Sequence, residues 1–360
     1  GVWPGEVCTV RLTELKKNYA RGEVVRVETP SPDRQESPCP HPECGACACL
    51  TLRYPAQLAS KRQLVAQALA RIGGAAAPEV LPCIGMDNPV HYRNKALFHA
   101  GLAAGKPVLG FHRPGSHEVV EVPDCLLPMQ GIRRVYGLLR EGLAAGELVP
   151  CGREGGFLED VLVRESGVLL VRCGVTREGA LPDVLLTRLR DAGVRIIQEA
   201  PVAGKGTHRV QARDLARKGG LAEEYCGTRF AFSPESFAQT NPEQAGRLYA
   251  LALEAAGPLA GKRVLDLYCG AGFLGLLAMT KGAATLAGIE ISRGAVADAQ
   301  ANARAMGFVQ ARFHAGTAVA LLPRVLKETR PEVVFVDPPR AGCTAAELAA
   351  LVRARPERIV

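Results

Sequence analysis

The 360-residue sequence contains no run of about 18 uncharged apolar residues, so it offers no candidate for a membrane-spanning helix. Its first residues lack the basic start and apolar core of a signal peptide, and we expect a cytoplasmic protein. Internal repeats are absent, and low-complexity sequence is limited to short alanine runs. The chain has 48% apolar and 22% charged residues, which is typical of a globular protein with two or three domains.

The net charge of the chain excludes few classes of binding partner. The formal net charge is +8 and the isoelectric point is about 8.9. This bias is compatible with a polyanionic partner such as nucleic acid. It is equally compatible with the arginine-rich composition that a GC-rich genome encodes, so both interpretations stay open.

Cysteine, by contrast, is plentiful for a reducing compartment, where disulfides are unfavourable. Cys39, Cys44 and Cys47 follow a C-x4-C-x2-C pattern, and Cys49 stands two residues further on. Thiolates this close repel one another unless a cation holds them, so the cluster predicts a metal site. Cys49 and Cys125 are both candidates for a fourth ligand. Spacing alone leaves zinc and an iron–sulfur cluster open.

Periodicity divides the chain into three parts. Residues 1–30 alternate like strands and are interpreted as the remnant of an RNA-binding β-barrel of oligonucleotide-binding type, or as a plain hairpin. Residues 31–232 follow as an α+β domain that carries the cysteines. Residues 233–360 alternate strands and helices, which predicts a Rossmann-like α/β domain with a parallel sheet. The strongest helical patterns cover Tyr54–Ile72, Pro128–Leu143 and Pro242–Ala256.

Three predicted strands of the last part end in residues suited to a small ligand. Asp266 closes the first strand, before a turn that contains Gly270 and Gly272. Glu290 ends the second strand, and Asp337 of Asp-Pro-Pro-Arg follows the fourth. Ligands of parallel sheets bind at the carboxyl ends of the strands. The spacing favours S-adenosylmethionine over NAD, because the third glycine of the dinucleotide fingerprint matches by letter only.

Several motifs resemble the RNA uracil-5 methyltransferase family, and in particular its iron–sulfur branch that acts on 23S ribosomal RNA. The resemblance runs nearly end to end. It rests on the cysteine cluster followed by Tyr54-Pro55-Ala56-Gln57-Leu58, on Tyr92-Arg93-Asn94-Lys95, on Ser233-Pro234-Glu235-Ser236-Phe237-Ala238-Gln239-Thr240-Asn241, on Asp266-Leu267-Tyr268-Cys269-Gly270, and on Asp337-Pro338-Pro339-Arg340-Ala341-Gly342.

The resemblance implies a class I methyltransferase fold and the formation of 5-methyluridine in RNA, most directly 23S ribosomal RNA, through a covalent cysteine adduct at uracil C6. It implies a [4Fe-4S] cluster on Cys39, Cys44, Cys47 and Cys125. The expected catalytic residues are Asp337 and Arg340. The expected S-adenosylmethionine site consists of Gln239, Asp266, Tyr268, Gly270, Gly272, Glu290 and Asp337.

The sequence also departs from the family pattern. The first cysteine gap is four residues where five is usual, Cys49 is an additional thiol, and Phe273 stands where many relatives have a polar residue. The family's nucleophilic cysteine and general base would lie beyond Val360, so we expect a chain cut at both ends that does not methylate by itself. A transfer-RNA enzyme, an amino-group methyltransferase using Asp-Pro-Pro-Arg, and a non-catalytic metal-stabilised RNA-binding protein remain alternatives.

Overall fold

The structure is a computed structural model that describes residues 1–73, 78–177, 179–201 and 213–360. Within these ranges the strands are β1 Val7–Leu15, β2 Ala20–Thr29, β3 Lys95–Ala103, β4 Lys106–His112, β5 Val119–Glu121, β6 Leu158–Ser166, β7 Val168–Val175, β8 Val194–Pro201, β9 Arg213–Arg217, β10 Leu221–Tyr225, β11 Thr228–Phe232, β12 Arg263–Leu267, β13 Thr285–Glu290, β14 Ala311–Ala315, β15 Val333–Val336 and β16 Arg358–Ile359. The helices are α1 Tyr54–Gly73, α2 Gln130–Ala144, α3 Asp183–Asp191, α4 Pro242–Ala256, α5 Phe273–Thr280, α6 Arg293–Ala305, α7 Ala318–Thr329 and α8 Ala345–Ala354, with one 3-10 turn at Pro42–Cys44.

The three helices predicted from periodicity are confirmed as α1, α2 and α4. Helix α4 shows why its ends were predictable. The Asn241 side chain accepts a hydrogen bond from the Gln244 N–H, and Pro242 occupies the first turn, where its missing N–H has no cost. Gly257 ends the helix with a φ of 70°. No helix within the described residues is long and apolar enough to span a bilayer.

The chain divides into two compact units. The first contains residues 1–91, 97–127 and 139–160. Here β1 and β2 form a two-stranded antiparallel sheet whose side chains are mostly exposed. Strand β4 pairs antiparallel with β3 and with β5. Helix α1 has no fully buried residue, and its Leu64, Val65 and Ile72 are exposed. The barrel remnant and the three domain boundaries stay predictions.

The second unit contains residues 92–96, 128–138 and 161–360. Its five-stranded sheet has the order β14-β13-β12-β15-β16, and every pairing is parallel. Strand β12, the first of this sheet along the chain, is central. The chain continues on one side of it through β13 and β14 and then crosses to the other side at β15, which is the doubly wound arrangement. Helices α7 and α8 bury Leu322, Val325 and Leu351 against Leu265 and Val334 of the sheet. The predicted Rossmann-like α/β fold is confirmed.

One position in β13 tests how tightly this sheet is packed. A Cβ at Gly288 would overlap the ring of Phe313 and lie 2.8 Å from Sγ of Cys269. We expect Gly288→Ala to lower the free energy of unfolding by about 1–3 kcal/mol, because the backbone must shift to admit the methyl group. Gly294→Ala in α6 is the matched control, since the nearest atom to its Cβ is Ser292 Oγ at 3.9 Å. Urea unfolding of both variants measures the difference, and equal midpoints would contradict the expectation.

Candidate functional site

The carboxyl ends of three strands meet at one edge of the parallel sheet. Leu267 of β12 is in register with Ile289 of β13 on one side and with Val336 of β15 on the other. The residues that follow these three, Tyr268, Glu290 and Asp337, therefore leave the sheet at the same level. The structure thus brings together the three strand ends that the sequence singled out.

The turn after β12 is fixed by its backbone. The N–H groups of Tyr268 and Cys269 both donate to the Ile289 carbonyl, at 2.9 and 3.1 Å. Tyr268 has a φ of 66°, a left-handed conformation that costs a non-glycine residue about 1–2 kcal/mol. Gly272 has a φ of 82°, and a Cβ there would lie 3.0 Å from Ala299. Tyr268 is thus held in a strained conformation two residues before Gly270, and strained backbone of this kind is common at ligand-binding sites.

Both carboxylate oxygens of Glu290 are already anchored. Oε2 accepts the Gly270 N–H at 3.1 Å, and Oε1 accepts the Ser292 N–H at 2.8 Å. These bonds orient the carboxylate and tie the end of β13 to the glycine turn. Each oxygen keeps a second lone pair, so the group can still accept hydroxyl hydrogens from a ligand.

Asp266 faces the interior. It is 3% exposed, and Oδ2 accepts the Gly275 N–H of α5 at 2.8 Å. Burial, with the nearby charges of Asp337 and Glu290, raises the pKa of Asp266 to about 7. The observed bond links β12 to the first turn of α5. A direct contact between Asp266 and a cofactor stays a prediction.

Asp337 and Arg340 lie in the exposed segment after β15. Loss of hydration among the surrounding protein atoms raises the pKa of Asp337. Arg340 makes no ion pair within the described part of the chain. The catalytic roles of both stay predictions.

The hydroxyl of Tyr268 lies beside Cys343 and Glu347, and the sequence analysis missed the role of Glu347. It donates toward Sγ of Cys343 at 3.8 Å, and the carboxylate of Glu347, which is 4% exposed, lies close by. Burial, together with the neighbouring Cys343 and Glu347, raises the pKa of Tyr268. Glu347 also caps α8 with Thr344, each accepting a hydrogen bond from the other's backbone N–H. The Thr-x-x-Glu spacing of this capping box was the available sequence signal.

The segment that contains Gln239 is bound to α6. Asp298 Oδ2 accepts hydrogen bonds from the N–H and hydroxyl of Ser233 and from the Ser236 hydroxyl. Asn302 donates both to the Ala231 carbonyl and to the Ala271 carbonyl in the glycine turn. Asn302 therefore connects the strand before the segment to the turn. Gln239 itself is half-buried, and its contact with a cofactor stays a prediction.

Phe273, the departure from the family pattern in the glycine loop, has a packing role. Its ring is 5.4 Å from Tyr225, 5.2 Å from Phe230 and 5.9 Å from Phe232, measured between centroids. Phe273 is 5% exposed. The first residue of α5 is thus anchored on the β10–β11 hairpin, which explains an apolar side chain at this position.

The cysteines of the predicted cluster lie in the first unit. Cys44 is buried at the end of the 3-10 turn, Cys39, Cys47 and Cys125 are half-buried, and Cys49 is exposed. Within the described residues, no three His, Cys, Asp or Glu side chains are placed so that they could hold a metal ion. The predicted [4Fe-4S] group stays a prediction.

Comparisons with known proteins find relatives that are described as RNA methyltransferases. A family described as "Conserved hypothetical protein 95" matches residues 249–356. An "Uncharacterized RNA methyltransferase" of Bacillus cereus is 30% identical over 379 residues, covering 100% of this chain and 81% of the relative. A protein of Halalkalibacterium halodurans with the same description is 35% identical over 374 residues, covering 99% and 80%.

A solved structure shares the fold. The tRNA (uracil-54, C5)-methyltransferase of Pyrococcus abyssi, in complex with S-adenosyl-L-homocysteine, superimposes with a TM-score of 0.72 at 22% identity. The match covers 99% of this chain and 83% of that one.

Proposed function

The chain belongs to the RNA methyltransferase family, and from this premise we propose that it uses S-adenosylmethionine to form 5-methyluridine in RNA. The observation that carries the proposal is the common level at which Tyr268, Glu290 and Asp337 leave the parallel sheet. That edge is where α/β sheets bind nucleotide-like ligands.

The charge of this edge supports S-adenosylmethionine over a dinucleotide. The carboxylates of Asp266, Glu290 and Asp337 lie near enough that the latter two raise the pKa of Asp266. S-adenosylmethionine brings a sulfonium and an ammonium, whose positive charges such a site attracts. The pyrophosphate of NAD would instead meet like charge.

We assign each part of S-adenosylmethionine to one of the polar groups at this edge of the sheet. Glu290, with its free lone pairs, would accept the two ribose hydroxyls. The N-terminus of α5 after Gly272 would bind the methionine carboxylate, because unpaired N–H groups there favour anions. Asp337 would bind the methionine ammonium or the substrate.

Replacing Glu290 by glutamine tests the first of these roles. The amide oxygen can accept only part of what the carboxylate accepts, and one of the Gly270 and Ser292 N–H groups loses its acceptor. We expect the dissociation constant for S-adenosylmethionine to rise about 10- to 100-fold, since hydrogen bonds to charged groups contribute about 1.5–3 kcal/mol. Isothermal titration measures it, with exposed Glu328→Gln as the control. Equal affinities in both variants would contradict the role.

The uracil-5 reaction is the finer part of the proposal. It is supported by the family resemblance of the motifs around Gln239, Asp266 and Asp337, and the Pyrococcus abyssi enzyme is named for this reaction. In the implied mechanism a cysteine thiolate adds to C6, and the resulting enolate attacks the methyl group through C5, releasing S-adenosylhomocysteine. A base then removes the C5 proton, and the thiolate leaves as the C5–C6 double bond re-forms. The target base must first leave its stack.

Product analysis tests the reaction. The full-length gene product is incubated with methyl-labelled S-adenosylmethionine and RNA from cells that lack the gene, and the RNA is digested to nucleosides. Label in 5-methyluridine is expected. Label in an N-methylated base would favour the amino-group alternative, and no labelled RNA at all would contradict the proposal.

Among RNAs, we propose 23S ribosomal RNA over transfer RNA, on the strength of the cysteine motif that resembles the ribosomal branch. Separating the labelled ribosomal and transfer RNAs before digestion decides between them. Label confined to transfer RNA would contradict this choice.

We also propose that Cys39, Cys44, Cys47 and Cys125 bind a [4Fe-4S] cluster, with zinc as the alternative. The support is the donor set and the fixed turn between the ligands, because Gly45 has a φ of 62° and a Cβ there would overlap the ring of Pro114. Binding requires the thiols to turn toward a common point. Anaerobic purification should yield iron and sulfide, and Cys125→Ser should lose them while exposed Cys226→Ser retains them. Protein free of both iron and zinc would contradict the proposal.

A further inference from the structure

A concave surface lies at the amino-terminal ends of the parallel strands, opposite the candidate site. It is a cleft of about 630 Å³ between the C-terminal halves of α7 and α8, bounded by the start of β12 and by the segments that lead into β15 and β16. The Tyr268, Glu290 and Asp337 edge is at the other end of the same strands. The cleft, which we call the basic cleft, is lined by the cationic residues Arg263, Lys327, Arg330, Arg353 and Arg355.

The protein neutralises the positive charge of the basic cleft only in part, at Arg263. Its two acidic lining residues are Glu332 and Glu357. Glu332 already pairs with Arg263 and Lys262, and Glu357 pairs with Lys262. Within the described ranges, Lys327, Arg330, Arg353 and Arg355 are exposed and make no ion pair. Four cations therefore face solvent around one cleft.

Two of these arginines occupy positions where glycine is the usual choice. Arg330 caps the C-terminus of α7 with a φ of 44°, and Arg355 caps that of α8 with a φ of 48°. Both are in the left-handed region that glycine or asparagine adopts without a Cβ penalty. The same tripeptide, Arg-Pro-Glu, follows both helices. A guanidinium is thus placed in the cleft twice, against the backbone preference, which favours a role for the side chain.

We propose that the basic cleft binds the phosphate backbone of the RNA substrate at a distance from the methylated base. The inference rests on the proposed RNA-modifying function. Several separated cations in an open cleft suit a polyanionic strand better than a single phosphate, and such contacts position a nucleic acid without reading its sequence. Strand β12 spans five residues, about 16 Å, so the two edges engage different nucleotides.

The test is the double variant Arg330→Asn/Arg355→Asn. Asparagine tolerates the left-handed conformation, so the variant removes two charges without adding backbone strain. Arg304→Gln/Arg312→Gln is the matched control, because it removes the same charge from exposed positions of the second unit outside the cleft. Binding of a mixed-sequence single-stranded RNA is measured over a series of salt concentrations, and S-adenosylmethionine binding is measured beside it.

The cleft variant is expected to bind RNA more weakly and to reduce the slope of log affinity against log salt by about 1.4, which is about 0.7 for each lost phosphate contact. The control should keep the wild-type slope, and both variants should bind S-adenosylmethionine normally. A wild-type slope in the cleft variant, or an equal loss in the control, would overturn the inference while the proposed function stands. Polyglutamate binding with the same arginine dependence would also overturn it, in favour of an acidic protein partner. A wild-type chain that binds no RNA would sink the proposed function and the inference with it.

Discussion

Replacing Asp337 by asparagine in the full-length gene product is expected to lower kcat/KM for RNA methylation about 100-fold or more, while the protein still folds. Asp337 is exposed at the edge where Tyr268 and Glu290 also leave the sheet, so the change removes a charge without disturbing the core. A charge-assisted hydrogen bond to the methionine ammonium or to the substrate would be lost. Labelled methyl transfer measures the effect.

The kinetics also separate the two roles of Asp337. If the carboxylate holds the ammonium, the dissociation constant for S-adenosylmethionine rises in the variant. If it acts on the substrate, cofactor affinity is unchanged and kcat falls. Asp191→Asn, at an exposed position in the same unit, is the control. Wild-type kinetics in the Asp337 variant would remove this residue from the mechanism.

The stability of the cofactor-free chain is expected to fall as the pH rises from about 4 to about 7, because of Asp266. Burial raises the pKa of this carboxyl from 3.8 to about 7 in the folded state. Between these values the folded protein holds a proton that the unfolded chain has released, so raising the pH favours unfolding. The full penalty, present above about pH 7, is about 4 kcal/mol.

Asp266→Asn isolates this effect. The amide oxygen can still accept the Gly275 N–H, but the side chain no longer titrates. Urea unfolding at a series of pH values should show the decline in the wild type and a flatter profile in the variant. Parallel profiles for the two proteins would contradict the assignment to Asp266.

The parallel sheet was predictable because its signals are local. Buried strands such as Val333–Val336 are short apolar runs. A glycine turn or an acidic residue directly after such a run marks the end of the strand. Helix α4 carried its own start signal in Asn241 and Pro242. Physical rules that act over a few residues were sufficient for these elements.

The residues that hold the candidate site in place were not predictable, because their contacts join distant parts of the chain. Asp298 and Asn302 look like ordinary solvated positions of α6, and only the folded contacts with Ser233 and Ala271 give them a role. Phe273 looked anomalous until its aromatic neighbours on β10 and β11 were in place. Whether the cysteines form a metal site could not be predicted for the same reason. The C-x4-C-x2-C motif fixes the spacing of the cysteines along the chain but not the direction of their thiols.

The two bonds donated by Asn302 bear on how the methyltransferase part could be produced alone. A start at residue 233, the predicted boundary, would remove β11 and leave the Asn302 side chain without its Ala231 partner, and the rings that pack on Phe273 would be lost as well. An autonomous fragment should therefore begin no later than Leu221, so that it includes the whole β10–β11 hairpin that packs against the glycine turn.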